Sequence, residues 1–472
     1  MAKASLSIGM VLDGFRLEER LHRGGMATIW RVTRPDIDDP IVMKVPFLDH
    51  EGDLSLLVGF EVEQMIMAEL AGPHVPRFIA NGDFTVQPYI VMERLPGNNL
   101  HKMLFDTPRL EIEDAISKGT AIAEALGDLH NQHVLHLDLK PANVLFRPSG
   151  EAVLIDFGLS RHLLLPDLLE EQFHRPTGTT EYMAPEQLAR VRSDKRSDLF
   201  ALGAIIYQMA TGELPFGAPG RIKQVRQRVW RDPVPPRALR PELPAPLQEV
   251  IIKCLEPLPD KRYRDAEELV FDLRHLDLVE LTERAGRQAR ADARTAFGRW
   301  MRAKSTLREI QSTATKPPPR TPIILVAVDL RPRFVELRNS LLEAAVSVLA
   351  NMPGARLACL NVMETSLISI DENVDAAGDN IHVQRMAELR QWAAPLQLPR
   401  GKITYHLVEA RNIAGAILDF ARSNKVDHLV IGAPTAGGAA ASRLTAQITA
   451  ESPCSVSVVR ASADRADLVP VR

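Results

Sequence analysis

His136-Leu137-Asp138-Leu139-Lys140-Pro141-Ala142-Asn143 stands between two short apolar runs, Val134-Leu135 and Val144-Leu145-Phe146, and sets a carboxylate, an amine and an amide at offsets of zero, two and five residues. A loop pinned by a strand at each end can converge these groups on one reacting centre. Asp138 can accept a hydroxyl proton, Lys140 can stabilise charge on a transferring phosphoryl group, and Asn143 can bind a metal ion through oxygen. Asp156-Phe157-Gly158 follows the run Val153-Leu154-Ile155 and offers a second carboxylate, the oxygen ligand that Mg²⁺ prefers. Further on come Gly178-Thr179-Thr180-Glu181-Tyr182-Met183-Ala184-Pro185-Glu186, then Asp198 and Arg262. Upstream, Lys44 closes the apolar run Ile41-Val42-Met43, where an ammonium can meet the α- and β-phosphates of a nucleotide. Glu63, in a helical stretch, can hold that ammonium. Leu21-His22-Arg23-Gly24-Gly25-Met26-Ala27-Thr28-Ile29-Trp30 reads as a glycine-containing hairpin whose backbone N–H groups can approach phosphates. Singly, the glycine pair is an ordinary turn and the charges are ordinary surface groups; the ordered set is what specifies phosphoryl transfer.

The wider pattern divides the 472 residues. From Val11 to Val91, short apolar runs broken by turn residues predict an antiparallel sheet interrupted by one helix over FEVEQMIMAEL, residues 60–70. From Leu100 to Leu278 helical periodicity dominates. Residues 279–319 read as a basic linker: between 278 and 320 there are ten Lys or Arg against four Asp or Glu. Arg284, Arg287, Arg290 and Arg294 recur at helical spacing before Phe297, Trp300 and Met301, and Pro317-Pro318-Pro319 closes the segment as a stiff spacer. The spacing predicts one basic helix whose aromatic residues pack on a neighbouring domain; peripheral contact with an anionic membrane is the less favoured reading. From 320 to 462 the runs IILVAVD, RLACLNVM, ITYHLVE, HLVIG and SVSVV alternate with helical stretches, which predicts a parallel α/β sheet.

A formal net charge of −3 argues against a global nucleic-acid binder. Cys254, Cys359 and Cys454 are too far apart for a metal or redox pair and read as apolar packing residues in a reducing compartment. The N-terminus has no signal-peptide run and no later segment reaches the length of a membrane span, so a cytoplasmic location is expected.

On these motifs, residues 11–278 resemble a protein kinase catalytic domain, closest to bacterial serine/threonine kinases of the eukaryotic type. The resemblance implies a bilobal α+β fold, a sheet-rich N-lobe over a helical C-lobe. It also implies ATP with Mg²⁺, Mn²⁺ being the alternative ion, and protein substrates with Ser or Thr hydroxyls. Carried over residue by residue, Lys44 and Glu63 are the lysine–glutamate pair, Asp138 the base with Lys140 beside it, and Asn143 and Asp156 the metal ligands. His22, Gly24, Gly25, Ile29, Val42, Met92, Glu93, Leu95 and Leu145 surround the nucleotide, with 93–95 as the hinge. Glu186 and Arg262 form a structural ion pair. Lys140 and Thr179 match the serine/threonine class.

His22, Val42 and Leu137 depart from the family's glycine, alanine and arginine. The last departure implies activity that does not wait for a phosphate on the activation segment, which has no Ser or Thr from Arg161 to Pro176. These three positions are the support for an alternative, a pseudokinase scaffold. A small-molecule kinase is disfavoured by the complete segment 178–186.

Residues 320–462 resemble the universal stress protein family, on Ile324 to Asp329, Asp427 to Gly432, and Pro453-Cys454 before Ser455 to Val459. Thr435 and a missing Gly-Ser pair near Gly437, Gly438, Ser442 and Arg443 imply poor nucleotide binding there. Asp329 is the residue left to meet a ribose, and pairing with a second copy or with a regulatory partner, in response to stress or another signal, is the expected role.

Overall fold

A computed structural model describes residues 6–24, 27–47, 54–84, 87–173, 178–218, 222–290, 293–313, 321–364, 380–399, 401–433 and 439–460. The first unit is built on strands β1 (Val11–Leu12), β2 (Phe15–Arg23), β3 (Ala27–Arg34), β4 (Ile37–Pro46), β5 (Phe78–Gly82) and β6 (Tyr89–Glu93). They form one antiparallel sheet in the order β1-β2-β3-β4-β6-β5. Side chains alternate along a strand, and here the alternation has a functional consequence. Phe15, Trp30, Val32, Ile41, Met43 and Val91 pack together on one face. Opposed pairs in the register, His22 with Ile29, Ile29 with Lys44, and Val42 with Met92, put those five residues on the other face. Helix α1 (Leu54–Met67) begins six residues before the predicted stretch and ends three before its last residue. It is tied to the sheet by Gln64, whose Nε2 donates to the carbonyls of Gly82 at 2.9 Å and Tyr89 at 3.0 Å.

The second unit is helical: α2 (Leu100–Asp106), α3 (Ile112–Asn131), α4 (Leu168–Phe173), α5 (Pro185–Leu188), α6 (Arg196–Thr211), α7 (Ile222–Val225), α8 (Pro236–Leu239), α9 (Ala245–Cys254), α10 (Ala266–Arg274) and α11 (Glu283–Gly286). Asn99 caps α2 by accepting from the Lys102 N–H at 2.9 Å, and Gly212 ends α6 with φ of 80°, a conformation that favours glycine. Leu126 and Ile122 of α3, Ile205 of α6 and Val250 of α9 are fully buried in the large core. On this core lie two short ribbons, β7 (Val134–Leu135) with β10 (Arg161–His162), and β8 (Val144–Phe146) with β9 (Ala152–Leu154). The loop quoted at the outset therefore runs from one ribbon to the other.

The basic segment differs from its prediction. Arg284 sits in the one-turn α11 and pairs with Glu249 at 2.9 Å and Glu256 at 2.8 Å, so it belongs to the C-lobe and not to a free basic stripe. A separate helix, α12 (Ala293–Thr313), starts after it. Buried Ala303 and Ile310 and the 2.6 Å pair of Arg299 with Asp232 seat α12 on the C-lobe, while Phe297, Trp300 and Met301 remain 62%, 51% and 65% exposed. The expected packing of these three on a neighbouring domain is not found. Pro317 to Pro319 lie outside the described residues.

The last unit alternates β11 (Ile323–Ala327), α13 (Val335–Asn351), β12 (Arg356–Glu364), α14 (Ile381–Ala393), β13 (Ile403–Ala410), α15 (Ile413–Ser423), β14 (His428–Ala433), α16 (Ala439–Glu451) and β15 (Ser455–Arg460). All five strands are parallel, in the order β13-β12-β11-β14-β15. Helical crossovers cover both faces, which is why central runs such as Ile323 to Val326 are apolar without alternation. Thr435, Gly437 and Gly438 lie outside the described residues. Cys254 and Cys359 are buried and Cys454 half-buried, all as free thiols. No described helix is long and apolar enough to cross a membrane.

Candidate active site

Asp138 lies in the loop between β7 and β8, where Thr179 N–H donates to its Oδ1 at 2.6 Å and Lys140 Nζ to its Oδ2 at 2.7 Å. Lys140 also reaches Thr179 Oγ at 3.2 Å, so the carboxylate, the amine and a hydroxyl of segment 178–186 form one cluster. Asn143 Nδ2 donates to the Asp138 carbonyl at 3.0 Å, which fixes the amide and turns its oxygen away from the loop backbone.

The loop's backbone is held in a sparsely populated state. Leu137, just before Asp138, has φ of +60°, and Asp156 has +68°, the left-handed region that costs a branched side chain about 1 kcal/mol or more. Asp198 of α6 holds the first of these. Its two oxygens accept from His136 N–H at 2.9 Å and Leu137 N–H at 2.8 Å, with His130 Nε2 at 2.9 Å. Burial pushes this carboxyl up, but the His130 hydrogen bond and charge outweigh it and the group titrates below the usual carboxylate range. Gln187 of α5 secures the other side, donating to the Leu137 carbonyl at 2.7 Å. Leu137 thus occupies a backbone position fixed by its neighbours, with a side chain 4% exposed that offers no charge.

Across the cleft, Lys44 Nζ lies 2.6 Å and 2.8 Å from the oxygens of Glu63 and 3.0 Å from Asp156 Oδ1. Burial pulls the ammonium down, but the charges of Glu63 and Asp156 outweigh it, so its pKa is raised. The charge of Lys44 in turn holds the Asp156 carboxyl below its ordinary range. Both ions are therefore charged at neutral pH. Glycine makes this approach of α1 geometrically open: a Cβ on Gly59 would stand 3.1 Å from the Gly158 carbonyl oxygen. The spacing of charged residues gave no signal for Gly59.

The remaining expected residues fall around the same cleft. His22, Ile29, Val42 and Met92 share the sheet face that carries Lys44. Gly24 N–H donates to the Ala27 carbonyl at 3.0 Å in the hairpin, and Gly25 lies outside the described residues. Leu95 and Leu145 are half-buried, the latter on β8 opposite Val153. Glu93 holds Arg147 bidentately at 2.5 and 2.9 Å, so its side chain ties the hinge to the C-lobe, and its N–H donates to the Arg77 carbonyl at 2.9 Å. Glu186 and Arg262 form the expected buried pair at 2.7 and 2.8 Å. Arg228, which sequence reasoning did not single out, donates to the carbonyls of Met183, Thr180 at 2.6 Å and Glu181 at 2.8 Å, and burial pushes its pKa down to about 10.

The protein kinase domain model matches residues 15–271, and the universal stress protein family model matches residues 321–460. A probable serine/threonine-protein kinase PknB of Lactococcus lactis is 31% identical over 271 residues, 57% of this chain and 43% of the relative. Serine/threonine-protein kinase PknB of Mycobacterium tuberculosis is 30% identical over 265 residues, 55% of this chain and 42% of the relative. The crystal structure of the M. tuberculosis PknI kinase domain aligns with a TM-score of 0.46 and 24% identity over 58% of this chain and 100% of its own. The chain spans about two-fifths of the length of the curated relatives it matches. The model match over more than half of its residues shows that the chain belongs to the protein kinase domain family and carries a universal stress protein domain behind it.

Proposed function

We propose that the chain transfers the γ-phosphate of ATP to serine or threonine hydroxyls of proteins, using residues 11–278 as the catalytic domain, 279–319 as the linker and 320–462 as a second domain. The observation that carries this reading is the Asp138 carboxylate, gripped by the Thr179 N–H and Lys140, together with Lys44 held between Glu63 and Asp156 as an intact hydrogen-bonded set. A pseudokinase has no use for all of these groups together, and the relatives that match are named as kinases.

In this mechanism Asp138 accepts the proton of the attacking hydroxyl, and Lys140 offsets charge on the phosphoryl group as it moves. Lys44, fixed by Glu63, meets the α- and β-phosphates. The donor set fits a hard divalent cation: Asn143 has its NH₂ committed and its oxygen left, and Asp156 has one oxygen on Lys44 and one left. No described cluster of three His, Cys, Asp or Glu could hold a metal alone, so the remaining ligands would be phosphate and water oxygens. Mg²⁺ suits such a site, with Mn²⁺ next, and the ion supplies charge neutralisation of the phosphates. Ile29, Val42, Met92 and Leu145 are the candidate walls of the adenine pocket.

A cytoplasmic location and pairing of the C-terminal domain with a second copy complete the proposal. Radiolabelled ATP and a general protein substrate test it. The wild type should transfer phosphate, and Asp138→Asn should lose ~10²-fold or more of kcat while still binding ATP, because the amide keeps the shape but accepts no proton. Equal rates in the two proteins would refute the assignment.

A further inference from the structure

Helix α1 carries Glu63 toward Lys44, and two residues earlier, well round the helix, it carries Glu61. Glu61 does not point at solvent. Its Oε1 accepts from the Arg390 guanidinium of α14, in the C-terminal domain, and the two side chains are only 13% and 19% exposed. That guanidinium also lies against two aromatic rings, 4.9 Å from the centroid of Phe84 beside the N-lobe sheet and 4.7 Å from that of Tyr405 on β13. Phe84 meets Phe60 of α1 edge to face at 6.3 Å. Phe60 and Phe84 join Leu389 and Leu407 of the C-terminal domain in one buried cluster.

A second grip lies on the activation segment. Glu171 of α4 pairs with Arg356 of β12 and stands 3.3 Å from His406, and Arg356 also donates to Thr404 at 3.0 Å. Gln172 donates to the Leu407 carbonyl at 2.6 Å, and Asn424 donates to the Glu171 carbonyl at 3.1 Å. The C-terminal domain therefore holds both elements on which the catalytic geometry depends, the helix that carries Glu63 and the segment that leads from Asp156 to Thr179.

Resting on the proposed kinase reaction, we propose that Arg390 is a positioning residue for it, acting from the second domain to keep α1 against the cleft so that Glu63 stays on Lys44. Arg390 is suited to this because its planar guanidinium can pair with a carboxylate in its plane and stack on rings with its faces, which an ammonium cannot do. A half-buried ion pair of this kind adds little net stability but favours one arrangement of α1 over others. The proposal also gives the appended domain a definite means of control: whatever displaces α14 releases α1.

The test uses the full chain. Arg390→Ala should lower kcat/KM for ATP by about 10- to 100-fold, with KM for the protein substrate unchanged, because only the nucleotide is aligned by Lys44. Arg390→Lys should fall between that variant and the wild type. The exchanged pair Glu61→Arg with Arg390→Glu should recover about fivefold over either single variant, as expected for two groups that act on each other. Activity of Arg390→Ala within twofold of the wild type overturns the proposal. So does a loss that is accompanied by global unfolding and is not recovered by the exchange, since that is the signature of a merely structural residue. Amide hydrogen exchange separates this proposal from the enzymatic reading. Even if the wild type transfers no phosphate, residues 54–67 should be protected in it and exchange faster in Arg390→Ala, and unchanged protection overturns the clamp.

Discussion

At the scale of single residues, the site is a set of charges whose positions are fixed by strained or buried backbone. Asp198 shows this most directly. It is 1% exposed, and it spends its oxygens on the N–H groups of His136 and Leu137 and on His130, which holds the loop that presents Asp138. Its folded pKa is depressed, so its stabilising contribution is fully present above the unfolded value of about 4 and disappears as pH falls through the lower folded value. Asp198→Asn should therefore destabilise the chain at pH 6 by more than it does at pH 3.5, as read by urea unfolding at the two pH values. An equal cost at both would mean that ionisation of Asp198 is irrelevant to the fold. Motif spacing made Asp138, Asn143 and Asp156 legible because their chemistry follows from residue type. The positive φ of Leu137 and Asp156, and the neighbours that sustain it, were not legible, since nothing in a leucine marks a left-handed conformation and an aspartate only tolerates one.

At the scale of elements, the longer strands of both domains fell where the apolar runs put them, because a run of alternating or uniformly apolar residues admits few other placements, whereas the two-residue β10 lies on no such run. Helix α4 was missed. Its six residues, Leu168 to Phe173, are too few to show a helical period, and they hold their shape through contacts with α1 and the C-terminal domain. Just before α4, Asp167 accepts from Arg192 at 2.9 Å and lies 3.6 Å from Arg161. Two arginines thus already share a carboxylate that is part of the chain, in the segment where an added phosphate would otherwise be their partner. Together with Leu137, this predicts that Thr177→Ala, a position outside the described residues, keeps activity within about threefold. Asp167→Ala should lose about tenfold, because Arg161 and Arg192 lose the carboxylate that lies between them and the segment leading to Thr179 loosens. Rate measurements on dephosphorylated protein check both outcomes. A collapse of activity in Thr177→Ala would show that the carboxylate does not substitute for the phosphate.

At the scale of the whole molecule, composition and the proline-ended linker suggested separate domains, and the structure shows them sharing buried surface. Leu57, Phe60, Phe84 and Ile90 from the kinase side lie in the same apolar cluster as Val326, Leu389 and Leu407 of the C-terminal sheet and its helices. No periodicity records this, because a residue packed between domains looks in sequence like one packed within its own. The arrangement predicts a single cooperative thermal transition for the full chain, since neither domain can lose its fold without exposing the apolar face of the other. Phe84→Ala is the incisive change. The ring is 2% exposed, meets Phe60 at 6.3 Å and carries the Arg390 guanidinium at 4.9 Å, so its removal opens a cavity at the seam and also takes one of the two rings from that cation. A buried Phe→Ala substitution costs about 3–5 kcal/mol when the surroundings do not collapse. Here that loss falls on the contact between domains, so calorimetry of the variant should show two separated transitions in place of one. A single transition, merely shifted down, would place Phe84 in the N-lobe core alone and would mean that the two domains unfold together for some other reason.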